Sequence, residues 1–81
     1  MRYQPDAALT TGQAAAMCDV SPHTVSNWID ADPPLLAGRR LPGSRARRVD
    51  ARVLYRFLVR HGMPVKDEMK DVEEAVLAEQ P

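Results

Sequence analysis

The stretch TTGQAAAMCDVSPHTVSNWI, residues 10–29, carries two helix starts and the small and apolar side chains that let two helices cross closely. Thr10 followed three residues later by Gln13 is a capping-box pair, in which a hydroxyl takes an orphan backbone N–H and an amide reaches back. A helix from about Thr11 to Cys18 is expected. Ser21 and Thr24 repeat the pattern of an N-cap, with Pro22 at the first helical position, where its missing N–H costs nothing. The second helix runs to about Asp30 and is stopped by Pro33 and Pro34, since a residue before proline is pushed out of the helical region. Ala14 and Ala15 stand where bulk would push the helices apart. Cys18 and Val20 plug the turn, and Val25, Trp28 and Ile29 form the inner face of the second helix. Asp19 occupies a turn position with left-handed backbone, a conformation aspartate tolerates better than most residues other than glycine. The outer face is left polar: Ser21, His23, Thr24, Ser26 and Asn27 are all short donors or acceptors.

Outward from this pair, residues 35–49 change to short apolar and basic stretches around Leu41-Pro42-Gly43-Ser44, where Pro then Gly suits the centre of a type II turn. A small β-hairpin is expected there. Asp50 is placed to cap a third helix with Val53, Leu54, Phe57, Leu58 and His61 on one side, Gly62 at its end and Pro64 beyond. Residues 1–8 contain Pro5 and no period, and read as a lead-in; Leu9 is the first residue that needs a core. In the tail, Val65, Met69, Val72 and Val76 recur at spacings of four and three, the stripe of an amphipathic helix. The expected fold is mostly α: three helices plus a short β-hairpin, with an additional C-terminal helix. Its parts are a lead-in at 1–8, a domain at 9–64 and an acidic helical tail at 65–81.

Eighty-one residues suit one domain with a small core. The single cysteine, Cys18, forms no internal disulfide, and the chain contains neither a signal-like start nor an apolar run long enough for a membrane span. A reducing cytosol is the expected compartment. The formal net charge of zero conceals strong segregation. Residues 1–36 set Arg2 against four aspartates, residues 37–61 set eight arginines against Asp50, and residues 62–81 set two lysines against six acids. A block so rich in arginine attracts phosphate even in a neutral molecule. His23, His61 and Cys18 lack the spacing of a zinc site, no glycine-rich loop opens a helix after a strand, and the acids form no convergent pair. No enzyme activity, cofactor or metal is expected.

The order of these parts, TTGQAAAMCDVSPHTVSNWID and then LLAGRRLPGSRARRVDARVLYRFLVRHG, resembles the DNA-binding domain shared by MerR-type regulators and the small excisionase family. The resemblance covers about Leu9 to Pro64, and Asp19 departs from the glycine usual at that turn. It implies a winged helix-turn-helix whose second helix enters the major groove of double-stranded DNA while the hairpin reaches an adjacent groove or the backbone. His23, Thr24, Ser26 and Asn27 then match the recognition helix, and Arg45, Arg47 and Arg48 the wing. Residue chemistry leads the same way. A hairpin carrying Arg39, Arg40, Arg45, Arg47 and Arg48, with Ser44 at its tip, can place guanidinium groups in a narrow minor groove or along phosphates; each of these arginines has the alternative of a solvated position or an ion pair with Asp50 or the acidic tail. Arg52, Arg56 and Arg60 form a stripe that either touches the backbone or pairs with acids. Two roles fit such a binder: an architectural factor that directs recombination beside an integrase, or a small regulator that meets the transcription machinery. A protein-interaction module whose arginine face binds an acidic partner is the alternative. The tail stripe is buried either against its own domain or, through self-association on DNA, against a second copy.

Overall fold

The computed structural model describes residues 1–43 and 46–79. In chain order these form β1 (Ala8–Thr10), α1 (Thr11–Cys18), α2 (Pro22–Asp30), β2 (Arg39–Arg40), β3 (Arg47–Asp50), α3 (Ala51–Arg60), a 3-10 turn (Asp67–Met69) and α4 (Lys70–Glu79). The three strands make one antiparallel sheet in the order β1-β3-β2.

Both expected caps of the first helix pair are present. The Gln13 N–H donates to Thr10 Oγ1 at 3.0 Å, and the Thr10 N–H donates to Gln13 Oε1 at 2.9 Å. Asp19 has φ 58°, so the turn adopts the left-handed conformation without a glycine. Its N–H and that of Val20 both donate to the Ala15 carbonyl, which closes α1 and turns the chain into α2. Ala14 and Ala15 are buried where the two helices meet, as is Val25, while the half-buried Trp28 packs on Phe57 of α3 and Ile29 lies against Gly38. The close crossing depends on those small side chains. Ala15→Leu is expected to destabilise the domain by about 1–3 kcal/mol through overpacking, measured by urea denaturation.

Three expectations need correction, one being the tail helix expected over 65–81, whose α-helix begins only at Lys70, after the 3-10 turn Asp67–Met69. Residues 1–8 are more than a lead-in: Ala8 and Leu9 pair with Asp50 and Val49 of β3, the Ala51 N–H donates to Ala7 O, and the Tyr3 N–H donates to Glu68 O at 2.8 Å. A strand of three residues is too short to display a period of two, and β3 supplies the backbone partners that make it one. Asp50 does occupy the N-cap of α3, but its carboxylate makes no capping bond and instead meets Arg39. The far end of α3 follows expectation. Gly62 has φ 67°, and the bonds Gly62 N–H to Val59 O and Met63 N–H to Leu58 O are those of a Schellman motif.

The core gathers Leu9, Val25, Leu36, Val49, Leu54 and Leu58 with Met69, Val72 and Val76 from the tail, all at or below 1% exposure. The tail stripe is therefore buried within its own chain, where α4 packs on α3. Polar bonds fix the same seat. Tyr55 Oη donates to Glu73, and Lys66 Nζ reaches both the Ala16 carbonyl at 2.7 Å and Asp19 Oδ1 at 2.6 Å. Lys66 brings a cation to the C-terminal end of α1, which has no basic residue in its own last turn.

Candidate nucleic-acid interface

The polar face of α2 divides into residues that build the helix and residues that project from it. Ser21 Oγ accepts the Thr24 N–H at 3.2 Å and shares a hydrogen bond of 2.9 Å with Thr24 Oγ1, so both hydroxyls are engaged in the cap. His23 and Asn27 are exposed and Ser26 is half-buried, and among the described residues none of the three has a side-chain hydrogen bond. His23, Asn27 and Asp30 stand at i, i+4 and i+7, hence on one side of the helix.

The hairpin sorts its arginines by strand alternation. Arg40 lies opposite Arg47 and Arg39 opposite Arg48, so the two cross-strand pairs face opposite sides of the sheet. The Arg40 and Arg47 pair turns towards α2. Arg47 holds Asp30 through two bonds, Nε to Oδ1 at 3.1 Å and Nη2 to Oδ2 at 2.7 Å, and Arg40 Nη2 approaches Oδ1 at 3.5 Å. The fork-on-fork geometry is the strong form of this interaction and fixes the guanidinium plane. On the other side, Arg39 pairs with Asp50 at 3.3 Å, and Arg48 Nη1 donates to the Arg47 carbonyl at 3.1 Å. Ser44 and Arg45, expected at the hairpin tip, lie outside the described residues; Gly43 before them has φ 72°, the positive value its turn was expected to need.

Asp30 is the residue that sequence reasoning missed as part of this site. It counts among the acids of the first third of the chain, yet the fold carries it to the arginine hairpin. The anticipated partners of these arginines were Asp50 and the acidic tail, which holds for Arg39 but not for Arg40 or Arg47. Its place on the polar side of α2, one turn beyond Asn27 and just before the hairpin, was the available signal.

Hydrogen bonding from Arg47 holds the Asp30 carboxyl below the ordinary aspartate value. Stability from this clamp is therefore complete above the unfolded-state value and is lost as pH falls through the depressed folded-state value. Arg47→Ala should return the Asp30 titration towards the ordinary range, as followed by carboxyl NMR shifts. An unchanged titration would deny the clamp in solution.

The α3 stripe also divides. Arg52 bonds Glu79 at 2.9 Å and the Pro5 carbonyl at 2.9 Å, joining the start of α3 to the end of α4, and this bond keeps the Glu79 carboxyl below its usual value. Arg56 and Arg60 are exposed and, among the described residues, have neither ion pair nor hydrogen bond. Cys18 is buried, and burial followed by the nearby Asp19 charge raises its thiol pKa, the opposite of what a reactive thiolate requires. Among the described residues no three of His, Cys, Asp and Glu converge as a metal site, and no helix is long and apolar enough to cross a membrane.

No family model, curated protein or solved structure matches the chain.

Proposed function

We propose that this chain is a sequence-specific, double-stranded DNA-binding protein built as a winged helix-turn-helix, with α2 as the recognition helix and the β2–β3 hairpin as the wing. The observation that carries the reading is the Arg47–Asp30–Arg40 clamp, which joins the arginine hairpin to the end of the α2 face bearing His23 and Asn27. Base-reading side chains and phosphate-seeking guanidiniums thereby share one rigid frame. His23, Ser26 and Asn27 read base edges, Ser21 and Thr24 hold the start of the helix, and Arg40 and Arg47, on the α2 side of the hairpin, meet the backbone or a narrow minor groove.

The role is that of an excisionase-type architectural factor acting beside an integrase, or of a small MerR-like regulator acting with the transcription machinery. Selection of bound fragments from the native genome, followed by footprinting and salt titration, separates these. Sites beside a recombination attachment site identify the first role and sites overlapping a promoter the second. Absence of any preferred fragment at moderate salt would reject sequence-specific binding altogether.

Within the interface the labour is divided. Asn27→Ala is expected to reduce discrimination at one or two base pairs by about 1–3 kcal/mol, while Arg40→Ala weakens binding to all duplexes and lowers the salt slope by about one. Competition binding at several salt concentrations checks both. Equal losses on specific and random DNA from the two variants would remove the distinction between them.

A further inference from the structure

The loop before β2 and one side of α3 enclose an open groove of about 220 Å³. Its walls are apolar, formed by Leu35, Ala37, Val53 and Phe57, and Arg56 and Arg60 stand along its edge. Leu35 is 57% exposed, a large aliphatic side chain left in water beside this opening. The Phe57 ring packs against Trp28, at a centroid distance of 5.1 Å, and against His61, at 4.4 Å.

The two arginines are distinctive in context. Arg2, Arg39, Arg40, Arg47 and Arg52 each have a carboxylate, and Arg48 has a carbonyl. Among the described residues Arg56 and Arg60 have neither an ion pair nor a hydrogen bond, and the Arg56 charge acts on the Glu79 carboxylate only through space. They stand one helical turn apart, about 6 Å along the axis of α3. That spacing matches two carboxylates three or four residues apart on a facing helix, with an apolar side chain between them for the groove.

We infer that this groove docks an acidic amphipathic helix of another protein, which places a leucine- or phenylalanine-sized anchor against Phe57 and Val53 and two carboxylates on Arg56 and Arg60. The inference does not depend on α2 being a DNA reader. Nucleic acid fits this surface less well, because a phosphate backbone gains nothing from an apolar floor and would leave Leu35 in water. A second copy of the chain offers α4, whose outward face carries Leu77 beside Glu74. Its other acids near that side are engaged, however: Glu73 by Tyr55 and Lys70, and Glu79 by Arg52. One free carboxylate does not answer two arginines.

The test uses the full chain, 15N-labelled, titrated with a synthetic helical peptide whose leucine anchors are flanked by glutamates four residues apart, and separately with duplex DNA. The expected result is saturable peptide binding with amide shifts confined to residues 35–37 and 53–60. The paired change Arg56→Glu with Arg60→Glu should weaken the peptide by at least about tenfold. Both side chains are exposed, so the fold is expected to survive; Leu35→Glu in the loop gives a second, independent variant with the same expected loss. Several outcomes overturn the proposal. Shifts at these residues from DNA but not from peptide would make the groove a phosphate surface, and shifts that grow with protein concentration alone would make it a contact between copies. Peptide binding that survives charge reversal, or no binding at all, would leave the groove without this role.

Discussion

Met69→Ala is expected to destabilise the chain by about 2–5 kcal/mol, the cost of removing a large side chain from a site that cannot collapse around the gap. Met69 has no solvent exposure and lies in one cluster with Leu54, Leu58, Val72 and Val76. A chain of this length has roughly 4–12 kcal/mol of stability in total, so the loss is a large share of it. Thermal melting should fall by roughly 8–40 °C. The control is Leu77→Ala on the same helix. Leu77 is 55% exposed, and its truncation should stay within about 0.5 kcal/mol. Equal effects from the two variants would mean that α4 does not occupy its seat in solution. The same packing argues against treating residues 65–79 as a detachable tail: their removal exposes the α3 side of the core and should unfold the domain.

Asp30→Ala is expected to raise affinity for random duplex DNA and steepen its salt dependence, while discrimination in favour of the preferred site falls by about tenfold. The carboxylate offsets one of the two positive charges of Arg47 and Arg40, so its removal adds a positive charge to the proposed interface. It also frees two guanidiniums that the clamp holds in register with α2. Arg47→Ala has the opposite sign on random DNA, because it removes a charge together with the anchor. Competition binding of both variants against preferred and random duplexes separates these effects. If Asp30→Ala weakened every duplex as Arg47→Ala does, Asp30 would serve the hairpin's fold rather than its aim. If neither variant altered DNA binding, the proposed interface would be wrong.

The predicted pH response of Asp30, the overpacking at Ala15 and the full burial of Met69 probe three different levels of the same chain, and these levels differ in how legible they are before folding. Capping and turn chemistry are local. Thr10 with Gln13, Ser21 with Thr24, the left-handed Asp19 and the stop at Gly62 each depend on atoms within a few residues, and each is found where the residue types require it. The apolar stripe of the tail was equally plain, because a spacing of three and four needs no partner to be seen. Its destination was not. Burial against α3 depends on the shape of a surface assembled from β1, α1 and α3.

Ion pairing is the least local property of all. Arg47 and Asp30 are separated by 17 residues, and Arg52 and Glu79 by 27. A charge count along the chain assigns each to a block, whereas alternation along β2 and β3 decides which arginine meets which acid. The groove beside Arg56 and Arg60 is likewise a product of tertiary contact, since its walls come from a loop and a helix that have no pattern in common. The amino-acid sequence by itself determined α1, α2 and α3, the caps of the first two and the turn between them, because these follow from short-range sterics and hydrogen bonding, and it carried the concentration of arginine around the hairpin. Tertiary structure alone decided the strand status of Ala8–Thr10, the seat of α4 and the partners of the arginines, because each requires two distant segments to be brought within a few ångströms of one another.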